Sequence, residues 1–465
     1  MHRYMKAGFA TLVALTGATA SWAQWQPTGV TVSAAPNDQI ESQTISDGLG
    51  GSITAWHDTR NGTTSIYVRK VNAAGVPQWT IDGVALCTAA NLQEWPVLTS
   101  DGAGGAIVAW QDSRAGNRDI YARRVNAAGV AQWTSDGVPI CTAPNNQEQP
   151  QIISDGAGGA FIIWTDIRGG VTYDIYAQRV SSAGTTMWTA NGIAVSAVNV
   201  HQVRPVLISD GSGGFLAAWA DYRIASADIY MQKVNASGVP QWTPNGIAVC
   251  AASGDQLLPQ MVSDGAGGAI LAWDDGRSSS TGHYYVFAQR VTSVGVPWWT
   301  PDGVQVAPDD SQSPAIVADG SGGAIVAWER IVALGDILAQ RLNASGMRMW
   351  YFIGIEVCIA TGRQRDPRIV SDGDGGAIIE WTDQRATISD VFAQRLNGAG
   401  IEQWTDDGIP IAYHYEDQSG GSIASDGGGG TIITWQDNQG GMGYDLLAQR
   451  IDNVFGYWGH PEPLI

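Results

Sequence analysis

Ser100-Asp101-Gly102-Ala103-Gly104-Gly105-Ala106-Ile107-Val108-Ala109-Trp110-Gln111-Asp112-Ser113-Arg114 reads as a tight turn running into a short apolar strand, and the chain repeats it eight times. The turn aspartates are Asp47, Asp101, Asp155, Asp210, Asp264, Asp319, Asp372 and Asp426, about 54 residues apart. Nine residues after each stands a tryptophan: Trp56, Trp110, Trp164, Trp219, Trp273, Trp328, Trp381 and Trp435. A repeat of this length built from strands and turns marks a propeller or a solenoid.

Four strand signals fill the second copy: a short run after a proline, then Gly105 to Gln111, Asp119 to Asn126 and Gly137 to Thr142. Alternation over four to eight residues, punctuated by Gly, Asn and Asp, means strand, and no amphipathic helical stretch follows the leader.

A second tryptophan series, Trp79, Trp133, Trp188, Trp242, Trp299, Trp350 and Trp404, has only seven members. The eighth lies at the other end, where Trp25-Gln26-Pro27-Thr28-Gly29-Val30 stands 54 residues before Trp79 and matches it. The last repeat stops after its third strand, Asp445 to Asp452. The expectation is therefore an all-β, eight-bladed β-propeller of four-stranded antiparallel blades, closed when the N-terminal strand completes the last blade. A solenoid would want polar capping repeats instead.

Residues 1–23 read as a signal peptide, with Arg3 and Lys6 before an apolar stretch and Ser21-Trp22-Ala23 as the cleavage site. Residues 24–465 then form a single propeller domain, secreted to the periplasm or beyond. A net charge of -19 argues against nucleic acid and anionic membranes as partners, and no membrane insertion is expected.

Most repeated residues read as structure. Asp-Gly before Gly-Gly is a turn signal, and one aspartate per turn falls short of the six to eight oxygens calcium takes. No metal and no cofactor are expected. Cys87, Cys141, Cys250 and Cys358 share one repeat position, so they sit too far apart to bridge and read as buried, unreactive fillers. Trp-x-Asp-x-Arg recurs in six copies and breaks at Trp328-Glu329-Arg330 and Trp435-Gln436-Asp437-Asn438-Gln439; its Asp-Arg pair reads as a loop clamp.

Gly75-Val76-Pro77-Gln78-Trp79 resembles the tryptophan-docking repeat of eight-bladed quinoprotein propellers, and Ala109 to Arg114 followed by Asp119-Ile120-Tyr121 resembles blades of sialidase-type Asp-box propellers. The repeat as a whole is similar to exported bacterial propeller-repeat proteins of unassigned activity. The chain departs from both enzyme groups: its arginines recur with the repeat, and it has no adjacent cysteines.

Function in a pseudosymmetric ring needs broken symmetry. The loop between second and third strands varies, shrinking at Glu329 to Gly335 and growing at Asp275 to Tyr285, which includes His283 and Tyr284. On the same face, a glutamine is expected three residues before the first strand: Gln39, Gln93, Gln147, Gln202, Gln256, Gln364 and Gln418. Before that strand's usual proline the residue varies: Glu41, Trp95, Gln149, Arg204, Leu258, Ser313, Asp366 and Gly420. If the first strand is innermost, these line the mouth of a central channel. Glu41, Trp95, Arg204 and Asp366, with His283 and Tyr284, are the candidate ligand-binding residues. The bland alternative is that the glutamines tie blades together and their neighbours are merely solvated. His57, His201 and His283 sit on this face without metal-ligand spacing. Two functions follow: a non-catalytic exported binding or scaffold protein for a glycan or extracellular protein, or a glycan-active hydrolase or lyase using Glu41, Asp366 and Glu94 with Trp95.

Overall fold

The computed structural model describes residues 25, 26, 28–277, 283–331, 335–411, 416–438 and 443–453. The expected signal peptide, Met1 to Ala23, lies outside these residues. The described chain forms eight separate four-stranded antiparallel sheets, an eight-bladed β-propeller. Blade one comprises Gln39–Ser46, Ser52–Asp58, Ser65–Val71 and Val84–Cys87, ordered from the axis outward. The first strands are innermost: Gln39–Ser46 neighbours both Gln93–Ser100 and Gln418–Ser425, and the pattern continues around the ring.

Blade eight is assembled from both ends of the chain. Val30–Ser33 pairs antiparallel with Asp445–Ile451, beside Thr431–Asp437 and Gln418–Ser425. Trp25 continues the lock by donating its indole N–H to the Ala73 carbonyl of blade one, 3.2 Å away. Pairing first to last covers the outer edge of Asp445–Ile451 and leaves blade eight with only a short edge strand, like the other blades.

The second strand of each blade reads as a continuous apolar run because neighbouring blades cover both of its faces. Ala106–Asp112 is buried at every position. Its Trp110 packs against Ile53, Val68 and Leu86 of blade one, so the first tryptophan series fills the wedges between blades.

The turn aspartates are fully committed. Asp101 Oδ1 accepts the amides of Ala103 and Gly105, each at 2.8 Å, and Oδ2 takes Arg124 Nε at 2.9 Å. Arg124 continues to the Ser182 carbonyl of the next blade. Gly105 must be glycine because a Cβ there would lie 2.1 Å from the Val125 carbonyl oxygen. The strand-three cation that completes this buried pair recurs from Lys70 to Arg450, and its sequence spacing gave no hint of the partnership.

Trp-x-Asp-x-Arg is the clamp its chemistry implies. Trp110 Nε1 donates to Asp112 Oδ2 at 2.8 Å, Arg114 Nε donates to Asp112 Oδ1 at 2.8 Å, and Arg114 Nη2 reaches the Asp136 carbonyl at 2.7 Å. The guanidinium also lies 3.9 Å over the Tyr121 ring, a cation–π contact. Where the motif breaks, Arg330 turns to Asp336 instead. The four cysteines are buried and free beneath these clamps, and burial pushes their thiols up to about 12.

Candidate functional site

One correction to the sequence reading locates the site. The repeated glutamines do not precede the innermost strand by three residues; they begin it. Proline suggested a later start because it cannot donate to the ladder. The strand accommodates it in a bulge: Gln93 and Glu94 pair with Asp112 and Gln111, and pairing resumes only at Val97 with Ala109. The glutamines also join blades, through their backbone: Gln147 N donates to the Arg118 carbonyl and Gln418 N to that of Ser389, both at 2.7 Å.

The first residue of each bulge is the variable one, and every copy is left-handed. The φ values are 54° at Glu41, 55° at Trp95 and Gln149, 57° at Arg204 and Asp366, 52° at Leu258, 56° at Ser313 and 64° at Gly420. Side chains other than glycine rarely accept this region, and strain of this kind concentrates at functional sites. Here it turns the variable side chains toward the axis. Glu41, Trp95, Gln149, Arg204, Leu258 and Gly420 line a cavity of about 470 Å³. Leu258, Ser313 and Asp366 line an adjoining cavity of about 420 Å³, and Arg368 borders both.

A second ring, polar at seven of its eight positions, supports the first, and sequence reading picked out only its His57. It is the residue directly after each first-series tryptophan: His57, Gln111, Thr165, Ala220, Asp274, Glu329, Thr382 and Gln436. The available signal was that this position varies in polarity beside an invariant indole. Gln111 Oε1 accepts the Gln149 amide at 2.6 Å, and Asp274 Oδ1 accepts the Ser313 amide at 2.9 Å, so each holds the bulge of the following blade. Burial pushes the Asp274 carboxyl up to about 7, with the Ser313 amide and Arg204 pulling the other way. His57 Nδ1 lies 3.3 Å from Glu41 Oε2, but the two are not aligned as a hydrogen bond.

Symmetry breaks most sharply between blades seven and eight. Six blades place proline after the left-handed residue; blade eight has Gly420-Gly421. A Cβ at Gly420 would lie 2.3 Å from Gln436 Nε2, and one at Gly421 would lie 2.4 Å from Glu380 Oε2. The glycine pair thus makes room for two polar side chains. Glu380 is 1% exposed, and Arg368 Nη1 meets its Oε1 at 3.0 Å. Burial raises the Glu380 carboxyl above its usual range, Arg368 opposes the shift, and nearby Asp366 adds to it.

Of the residues singled out from sequence, Glu41, Trp95 and Arg204 meet around the larger cavity and Asp366 around its neighbour. His283 and Tyr284 are outside both linings. His283 pairs through Nδ1 with Asp310 of the next blade, and Tyr284 faces Asp255 and Asp274. Glu94, half-buried, also lies outside the cavity lining. The carboxylate brought near Asp366 is Glu380, which the repeat pattern hid inside an apolar strand.

No family model matches the chain, and no curated protein does. Solved structures resemble it distantly. A protein of unknown function from Dyadobacter fermentans is 11% identical with a TM-score of 0.43, covering 91% of this chain and 97% of its own. The polysaccharide lyase Uly1 is 11% identical with a TM-score of 0.49, over 81% and 94%. The α-L-arabinofuranosidase ARB93A from Fusarium graminearum is 12% identical with a TM-score of 0.38, over 80% and 97%. At this distance the likenesses bear on neither ligand nor chemistry.

Proposed function

We propose that this chain is an exported, non-catalytic binding protein that takes a saccharide at the mouth of its central channel. The observation that carries the reading is the ring of left-handed bulges, which turns unlike side chains into two adjoining cavities at a cost in strain. Trp95 stands 55% exposed at that lip, whereas the first-series tryptophans are fully buried. An exposed indole flanked by Gln149, Arg204 and Glu41 offers a flat apolar face for a sugar ring and polar groups for its hydroxyls. The nearby carboxylates have local partners: Glu41 faces His57, Asp366 meets Arg365, Glu329 meets Arg363 and Glu380 meets Arg368. That arrangement favours holding a ligand over attacking it.

A glycan array followed by calorimetry tests this, with Trp95→Ala expected to weaken a bound saccharide by about tenfold or more. Absence of any saccharide hit, or a Trp95→Ala variant that binds as tightly as the parent, refutes it. The competing hydrolase or lyase reading draws support from the raised Glu380 carboxyl beside Asp366. Release of shorter products from a bound saccharide would establish that reading and remove the non-catalytic one. Export is tested by sequencing the N terminus of the protein from its native host; a chain retaining residues 1–23 refutes it.

A further inference from the structure

The cations of this chain are almost entirely occupied. Excluding Arg3 and Lys6 in the undescribed N-terminal segment, every lysine and arginine but one has a hydrogen bond or ion pair within the protein. The turn aspartates, the Trp-x-Asp-x-Arg clamps and loop carbonyls take them. The exception among the described residues is Arg204, which is exposed, left-handed, and within electrostatic reach of Asp274. A second arginine lines the same cavity with part of its fork to spare. Among the described residues Arg368 engages Glu380 through Nη1 and its other side-chain N–H donors meet no partner, and its side chain is 39% exposed.

In a chain of net charge -19, two guanidinium groups with unspent donors around one cavity are not a by-product of composition. Each fork can engage two oxygens of one anionic group, planar as in a carboxylate or tetrahedral as in a sulfate ester. Buried Glu380 holds Arg368 from behind and fixes its orientation, and Gly421 makes room for it. Burying that carboxylate costs desolvation that a single ion pair can fail to repay, so the pair is not accounted for by stability alone.

We infer that the channel mouth selects saccharides bearing an anionic substituent, a carboxylate or a sulfate ester, with Arg204 and Arg368 as its two anion-binding arms and Trp95 stacking on the sugar ring. This rests on the saccharide reading above. Glu41 and Asp366 set the limit: one anionic group between the arginines is favoured, and a densely charged polymer is not.

The test is titration calorimetry with a galacturonate oligomer, the same oligomer fully methyl-esterified, and a galactose oligomer carrying sulfate esters. Binding of either anionic oligomer should exceed that of the neutral ester by about tenfold, and the gain should shrink with added salt. The stronger of the two anionic probes identifies the substituent. Arg204→Gln, which breaks no hydrogen bond or ion pair among the described residues, should abolish most of the gain, weakening the anionic oligomers several-fold more than the neutral ester. Arg368→Gln combined with Glu380→Gln should likewise weaken the anionic oligomers more than the neutral ester, without stranding a buried charge. Equal binding of charged and neutral oligomers overturns the inference but leaves the saccharide reading intact. Binding of none overturns both.

Discussion

Replacing Ser313 tests whether the bulge ring is strained. Ser313 holds φ at 56°, its amide donates to Asp274 Oδ1 at 2.9 Å, and its half-buried hydroxyl makes no hydrogen bond to the described residues. Holding a non-glycine residue left-handed costs about 1–2 kcal/mol. Glycine removes that cost but loses about 0.5–1 kcal/mol more on ordering. Ser313→Gly should therefore stabilise the fold by roughly 0.5–1 kcal/mol, the difference of those terms. Ser313→Val keeps the amide and the approximate size but adds β-branching, so it should destabilise by about 1 kcal/mol or more. Urea unfolding followed by tryptophan fluorescence should order the midpoints Gly, Ser, Val at constant slope. A valine variant as stable as the glycine variant would show that the left-handed backbone carries no strain, and the functional argument from it would fail. The stake is large: seven such residues at about 1–2 kcal/mol each sum to roughly 10 kcal/mol, comparable to the net stability of a typical domain. A device that expensive is not explained by stability.

Two further outcomes follow from other parts of the ring. Trp25→Ala should cost about 3–5 kcal/mol and give aggregates on size-exclusion chromatography, because Trp25 is 4% exposed and locks the closing strand, whereas Trp298→Ala, at 62% exposure, should stay within about 0.5 kcal/mol; equal melting of the two refutes closure by the N-terminal strand. Asp274 titrates near 7 in the fold against 3.8 for the free side chain, so the native state binds the extra proton between those values and stability falls as pH rises from about 4 to 7. Asp274→Asn keeps the Ser313 acceptor and should gain on the parent across that window, by at most about 4 kcal/mol; parallel stability curves would refute the shift. Asp119, Asp174, Asp228 and Asp390, each pushed up to about 6 first by burial, give the parent the same slope.

Repetition made the architecture legible. Eight Asp-Gly turns, eight tryptophans at a constant offset and a displaced Trp25 fix the blade count and the closing strand, because each repeat can bury its apolar strand only against a neighbour. The same regularity exposed the variable position, which precedes proline in six blades; Glu41, Trp95 and Arg204 line one cavity and Asp366 the adjoining one.

Three things needed the folded chain. The left-handed bulge is a backbone state, and proline hid it by suggesting that the strand began later. His283 and Tyr284 sit on a loop, whose direction depends on what it meets; His283 met Asp310 of the adjacent blade. Glu380 is one polar residue in an apolar run; the strand register sets it opposite Arg368 of its own blade, and blade eight, with glycine where six blades have proline, leaves room for it. Periodicity reports what every blade must do to stack. Which side chains meet across the axis depends on distances between residues far apart in the chain, and those exist only once the ring has closed.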